Sequence, residues 1–187
     1  MGTEMQMFVE KFVDGRWVYV HTPDHPPRVA NLTESPIDWY YEGGFHNYDT
    51  MSFLCGVRNN DEIPVIEPKW RKMPEDASEE LKAAYEWNLD SGVHWLTLAE
   101  VKAYDFDQLV WKPARVLKPD LVKPGEEPDY DIQSRDHNGK IRIKGYELRQ
   151  FPVRRLCTEF LEKLLPKIET VCNTTPDNIR LIMWFDW

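Results

Sequence analysis

Apolar positions fall into short runs whose spacing changes along the chain, and each change predicts an element. Met5 to Val13 alternates imperfectly, meets Asp14-Gly15 and resumes as Trp17-Val18-Tyr19-Val20. An Asp-Gly between two β-rich runs predicts strand, tight turn, strand. From His21 to Pro36 four prolines interrupt any period, which predicts a surface loop over residues 21–37. Tyr48 to Val57 reads as a short buried helix with Asp49 as its cap and Met51, Phe53, Leu54 and Val57 as its apolar side. Ser78 opens a second helix that ends near Asn88. Thr97 and Glu100 have the capping-box spacing, which predicts a third helix ending near Tyr104.

Leu109 to Leu117 reads as a strand, residues 118–138 as a polar, proline-rich excursion, and Lys140 to Lys144 as a half-exposed strand. The longest helical period runs from Pro152 to Val171, where Val153, Leu156, Phe160, Leu164 and Ile168 recur at spacings of three and four. Pro166 lies inside it and predicts a kink or a break. Ile179 to Phe185 is almost continuously apolar, the mark of a strand buried on both faces. The order of elements predicts an α+β fold in a single domain over residues 1–187. It has an N-terminal β-hairpin, a mixed sheet with a central C-terminal strand, and three to four helices including one long amphipathic helix.

Composition narrows the function classes. A formal net charge of −9 repels phosphate backbones and argues against bulk nucleic-acid binding, while leaving room for a small anion at a local basic cluster. The basic positions Lys140, Arg142, Lys144, Arg149, Arg154 and Arg155 form the one such grouping, which also reads as a solvated face. Three widely spaced cysteines, Cys55, Cys157 and Cys172, read as buried free thiols suited to a reducing cytosol. No run approaches the roughly 18 apolar residues of a membrane span, so no membrane partner is expected.

The chemistry-bearing residues do not complete a known motif. The five histidines lack metal-ligand spacing, so no metal and no cofactor are expected, and there is no Walker loop, G-x-S-x-G or G-x-G-x-x-G. His46-Asn47-Tyr48-Asp49 brings an imidazole, an amide, a phenol and a carboxylate to a helix mouth, where anions are favoured; a capping loop is the plainer reading. His94-Trp95, following Gly92, is either a packed, hydrogen-bonded histidine or a site residue. Asp186 lies at the end of the apolar strand, where ligands often bind, although an Asp simply facing solvent is the plainer reading.

Several stretches resemble one family, small and largely uncharacterised proteins of bacteriophages and bacteria. Its members open with Met-Gly-Cys-Asp-Ile-His, and the chain here begins Met1-Gly2-Thr3-Glu4-Met5-Gln6. Asn47-Tyr48-Asp49, Val57-Arg58-Asn59, Met73-Pro74-Glu75-Asp76, Trp95-Leu96-Thr97-Leu98 and Phe185-Asp186 match family stretches in the same order. The family's early His is Gln6 here, and its His/Ser cluster is reduced to Ser91 and His94. Gln hydrogen-bonds but does not shuttle protons near neutral pH, so the departure favours binding over catalysis.

The resemblance implies a phage protein in the cytoplasm of an infected bacterium that sequesters a small nucleotide-derived immune signal. Gln6, His46, Asn47, Tyr48, Asp49, Arg58, His94 and Trp95 are then the expected ligand-binding residues. A phosphodiesterase-like enzyme using His94 with Asp49 or Glu4, and an acidic inhibitor of a host protein, are the alternatives. A homo-oligomer is left open.

Overall fold

The computed structural model describes residues 4–20, 47–67, 70–86, 92–115 and 146–186. The expected proline-rich loop over residues 21–37, the polar excursion over residues 118–138, the Lys140–Lys144 strand and His46 lie outside the described residues. Strand β1 (Glu4–Val13) turns through Asp14 and Gly15, at φ of 51° and 80°, into β2 (Arg16–Tyr19). A two-residue hairpin turn whose twist suits its strands needs positive φ at both central positions, which Asp-Gly supplies at low cost.

The last strand, β6 (Ile179–Asp186), runs antiparallel along β1 from Lys11↔Ile179 to Glu4↔Asp186, and β3 (His94–Thr97) flanks it on the other side. The order is β2-β1-β6-β3. The pairings of this sheet are antiparallel, where a mixed sheet was expected. Strand β6 is interior, as its apolar run requires, and Leu181, Ile182, Met183 and Trp184 are fully buried. Strands β4 (Leu109–Arg115) and β5 (Tyr146–Pro152) pair as a separate two-stranded ribbon. Pro113 is tolerated in β4 because a ribbon strand has a neighbour on one side only.

Residues two apart on a strand share a face, so register sorts the sheet. Met5, Met7, Val9, Leu181, Met183, His94 and Leu96 share one face. Helix α1 (Tyr48–Cys55) packs there, with the Cys55 thiol 3.6 Å from the Met183 sulfur. Gln6, Phe8, Glu10, Arg180, Ile182, Trp184 and Trp95 share the other face. Phe8 and Trp184 stack there at 3.9 Å, and Tyr85 of helix α2 (Glu79–Glu86) lies 5.5 Å from Trp184.

Helix ends follow side-chain chemistry. Asn47, not Asp49, caps α1: its Oδ1 accepts from the Asp49 and Thr50 amides at 2.8 and 3.4 Å, which puts Asp49 in the first turn. Gly56 at φ 71° ends α1 after Cys55, two residues earlier than the apolar pattern implied. Helix α3 (Leu98–Ala103) has the expected capping box, with Thr97 and Glu100 bonded reciprocally.

The long C-terminal helix is interrupted. It comprises one turn, α4 (Val153–Leu156), a break at Cys157, a π turn over Phe160–Leu164, and α5 (Leu165–Cys172). The wide turn absorbs Pro166: the Leu165 amide reaches back to the Phe160 carbonyl, and the proline sits in the first turn of α5, where its missing N–H is harmless. Val153, Cys157, Phe160, Leu164, Ile168 and Cys172 form the buried stripe, so Cys157 takes the place expected of Leu156.

Candidate functional site

The expected ligand-binding residues divide into three places. Gln6 is half-buried on β1 and its Oε1 accepts from the Trp184 indole at 3.0 Å. His94 lies on the opposite face of the sheet, by register parity, while its neighbour Trp95 returns to the Gln6 face. Asn47, Tyr48 and Asp49 stand at the mouth of α1. There the Asn47 amide donates to the Leu156 carbonyl at 2.7 Å, and Tyr48 is 45% exposed. Arg58 follows this helix with a positive φ of 56°, and is exposed.

The α1 mouth is already neutralised. Lys112, reaching from β4, places its ammonium 2.5 Å from Asp49 and 3.2 Å from Asp61. With Asn47 capping the amides and Asp49 in the first turn, the helix N-terminus has its negative charge supplied from within. Lys112 thereby ties the ribbon to the sheet domain; nothing in its local sequence marks that role.

The most concentrated chemistry among the described residues is a stripe across the Gln6 face that the sequence did not indicate. Arg180 is the centre: its side chain is 3% exposed and its guanidinium lies 4.1 Å from the Trp17 ring and 6.0 Å from the Trp95 ring. Its Nε donates to Glu10 at 2.7 Å and its Nη1 to Asp76 at 2.8 Å, while Nη2 has no partner. Arg71 lies over the Trp95 ring at 4.6 Å and pairs with Glu100 at 2.6 Å and Glu67 at 3.4 Å. Phe12, 38% exposed, meets the edge of Trp17 at 5.3 Å. The stripe thus runs Phe12, Trp17, Arg180, Trp95, Arg71, alternating rings and cations after the first pair.

Sequence spacing cannot bring these groups together; the cross-strand register does. Glu10 and Arg180 are direct partners on β1 and β6, and Thr97 faces Arg180 from β3. Stacking on an indole favours guanidinium by roughly 0.5–2 kcal/mol per contact, and the carboxylates fix its plane. Desolvation pushes the Asp76 carboxyl upward, but its hydrogen bond and charge contact with Arg180 outweigh that and hold it below the usual range. Glu100 behaves in the same way toward Arg71.

His94 is fully buried, with both ring nitrogens lacking a hydrogen-bond partner. Trp70 covers it, 6.1 Å away between ring centres, and Phe185 lies 5.6 Å from the same indole. Burial, helped by the nearby Arg71 charge and opposed by the Glu67 and Glu100 charges, lowers the imidazole to about 4. The ring is therefore neutral near pH 7. Burial also raises all three thiols, Cys157 to about 12 and Cys172 to about 11, so none is an activated nucleophile. Among the described residues no group of three or more His, Cys, Asp or Glu is placed to hold a metal ion. No described helix is long and apolar enough to cross a membrane.

Comparison with known proteins finds no matching family model, no matching curated protein and no matching solved structure.

Proposed function

We propose that this chain works by stoichiometric binding, and that its binding face is the stripe from Phe12 to Arg71, presented to a basic surface on a partner protein. The observation that carries this reading is the charge balance of the stripe. Arg180 is held by Glu10 and Asp76, and Arg71 by Glu67 and Glu100, so four carboxylates stand against two cations in a chain of net charge −9. An aromatic surface with surplus negative charge attracts cationic groups, and Trp and Arg dominate the energetics of protein interfaces. Phe12 and the Asp76 side chain, 38% and 65% exposed, are the accessible members.

Sequestration of a small nucleotide-derived signal in a phage-infected bacterium is the second reading, and one observation favours it. The Arg180 Nη2 donor is buried without an acceptor, a state that costs about 1–3 kcal/mol and that a nucleobase carbonyl would relieve. The surplus of carboxylates disfavours phosphate at the same place, so such a ligand would be read through its base. The hydrolase alternative has less support, because His94 is enclosed on the opposite face from the stripe and Asp49 is committed to Lys112.

The test combines two measurements on the purified chain. In the first, it is incubated with cyclic and ADP-ribose nucleotides and heated, and the released small molecules are weighed by mass spectrometry. One intact nucleotide in stoichiometric amount replaces the protein-partner reading with sequestration, and a converted nucleotide replaces both with an enzyme. In the second, host proteins are captured at low salt by the wild type and by Phe12→Ser and Asp76→Lys variants. A basic protein retained by the wild type, and lost both at high salt and with either variant, supports the stripe; capture unaffected by the variants overturns it.

A further inference from the structure

Met183 stands in the middle of a cluster of soft donors on the sheet face opposite the stripe. In the cross-strand register it is the direct partner of His94 on β3 and of Met7 on β1, so the three side chains share that face. Side chains paired in this way start about 4.5–5.5 Å apart at their Cβ atoms. From α1 the Cys55 thiol meets the Met183 sulfur at 3.6 Å. All four side chains are buried. His94 is the member that packing does not explain. Both of its ring nitrogens are enclosed without a hydrogen-bond partner, and an apolar ring would fill the same space without that cost.

The geometry points to a buried binding site for copper(I), with Cys55, Met183 and His94 as ligands and Met7 beside them as a further thioether. Thiolate and thioether sulfurs select copper(I), and imidazole suits copper as well, whereas magnesium, calcium and manganese favour oxygen donors. With metal–sulfur bonds of about 2.3 Å, two sulfurs on one metal stand about 3.8 Å apart, close to the spacing Cys55 and Met183 already have. Half of the donors are thioethers, which is why no cluster of His, Cys, Asp and Glu marks the place among the described residues. Charge separates copper(I) from zinc. On binding, the Cys55 S–H bond breaks, its proton leaves to solvent, and a sulfur–metal bond forms with no change of oxidation state. One thiolate then cancels one monovalent cation, and the neutral unit suits a dry core; divalent zinc would carry an uncompensated positive charge into it. Trp70 covers His94 and is 43% exposed, so its outward swing supplies an entry path.

The experiment titrates copper(I), kept reduced with ascorbate under nitrogen, into the full chain in competition with a chromogenic copper(I) chelator. The wild type is expected to take up a single equivalent, and X-ray absorption of the complex to show both sulfur and imidazole nitrogen bound to the metal. Met183→Leu and His94→Phe keep the core filled, and each is expected to lower the affinity by at least about tenfold. Cys172→Ala removes a thiol outside the cluster and is expected to leave the affinity unchanged. Circular dichroism checks that each variant is folded; should Met183→Leu or His94→Phe unfold, the absorption spectrum of the wild-type complex decides. The inference is overturned if the wild type takes no copper, or if folded Met183→Leu or His94→Phe holds it as tightly as the wild type. Release of the metal by Cys172→Ala, a spectrum without both sulfur and imidazole, or tighter binding of zinc(II) at the same residues overturns it equally.

Discussion

Glu10 and Arg180 face each other across β1 and β6, and their side chains meet at 2.7 Å where neither is more than 3% exposed. Glu10 also accepts the Ser78 amide at 2.7 Å, so this one carboxylate joins the sheet to the start of α2. Buried pairs are costly to break from one side, because the survivor keeps its charge without its partner. Glu10→Gln is therefore expected to lower unfolding free energy by about 3–5 kcal/mol in urea titration. Glu10→Gln/Arg180→Met should recover part of that loss; a double variant less stable than the single one would contradict the account.

His94 makes stability depend on pH. Its folded value of about 4 lies below the ordinary 6.5, so between them the unfolded chain takes up a proton that the folded chain excludes. The stabilisation is whole above pH 6.5 and declines as pH falls toward 4, by on the order of 3 kcal/mol in all. The measurement is the stability of the wild type minus that of His94→Phe at each pH, which separates this group from the carboxylates. A difference that does not change over this interval rules the imidazole out.

Gly92 lies flat against Trp70: a Cβ there would come within 2.7 Å of two atoms of the indole. Trp70 is 43% exposed and can move outward, so Gly92→Ala is expected to lift it from His94 and Phe185 at a cost of about 1–3 kcal/mol. The fluorescence difference between Gly92→Ala and Gly92→Ala/Trp70→Phe should report a more solvated indole than the corresponding wild-type difference. Equal differences would mean that the strand shifts instead of the ring.

Asn47→Ala removes both the cap of α1 and the bond to the Leu156 carbonyl, and should cost about 1–2 kcal/mol. Asp49→Asn keeps the cap and loses only the charge pairing with Lys112. The two variants should therefore differ in amide exchange of the Thr50 and Met51 region, with Asn47→Ala the faster. Equal exchange would return the capping role to Asp49.

What sequence alone determined was set by neighbours along the chain. The Asp14-Gly15 hairpin, the Thr97–Glu100 capping box, the α+β class and the interior place of β6 follow from turn geometry, helix-end hydrogen bonding and continuous apolar character. Pro166 marked an interruption, although the backbone's answer, a π turn before it, required knowing which carbonyl the displaced amide reaches. Strand β3 escaped notice because it is four residues long and runs into a helix start, and β5, seven residues long, because its alternation breaks at Arg149-Gln150.

Tertiary structure decided which polar groups are used. Arg180 meets Glu10 across 170 positions of sequence and Asp76 across 104, and no local pattern encodes such pairings. Parity did the rest: adjacent residues on a strand point to opposite faces, so His94 and Trp95, which read as one constellation, were sent to opposite sides of the sheet. Short-range hydrogen bonding writes itself into sequence because its partners are fixed a few residues apart, whereas a site depends on register between distant strands, which only the packed core selects.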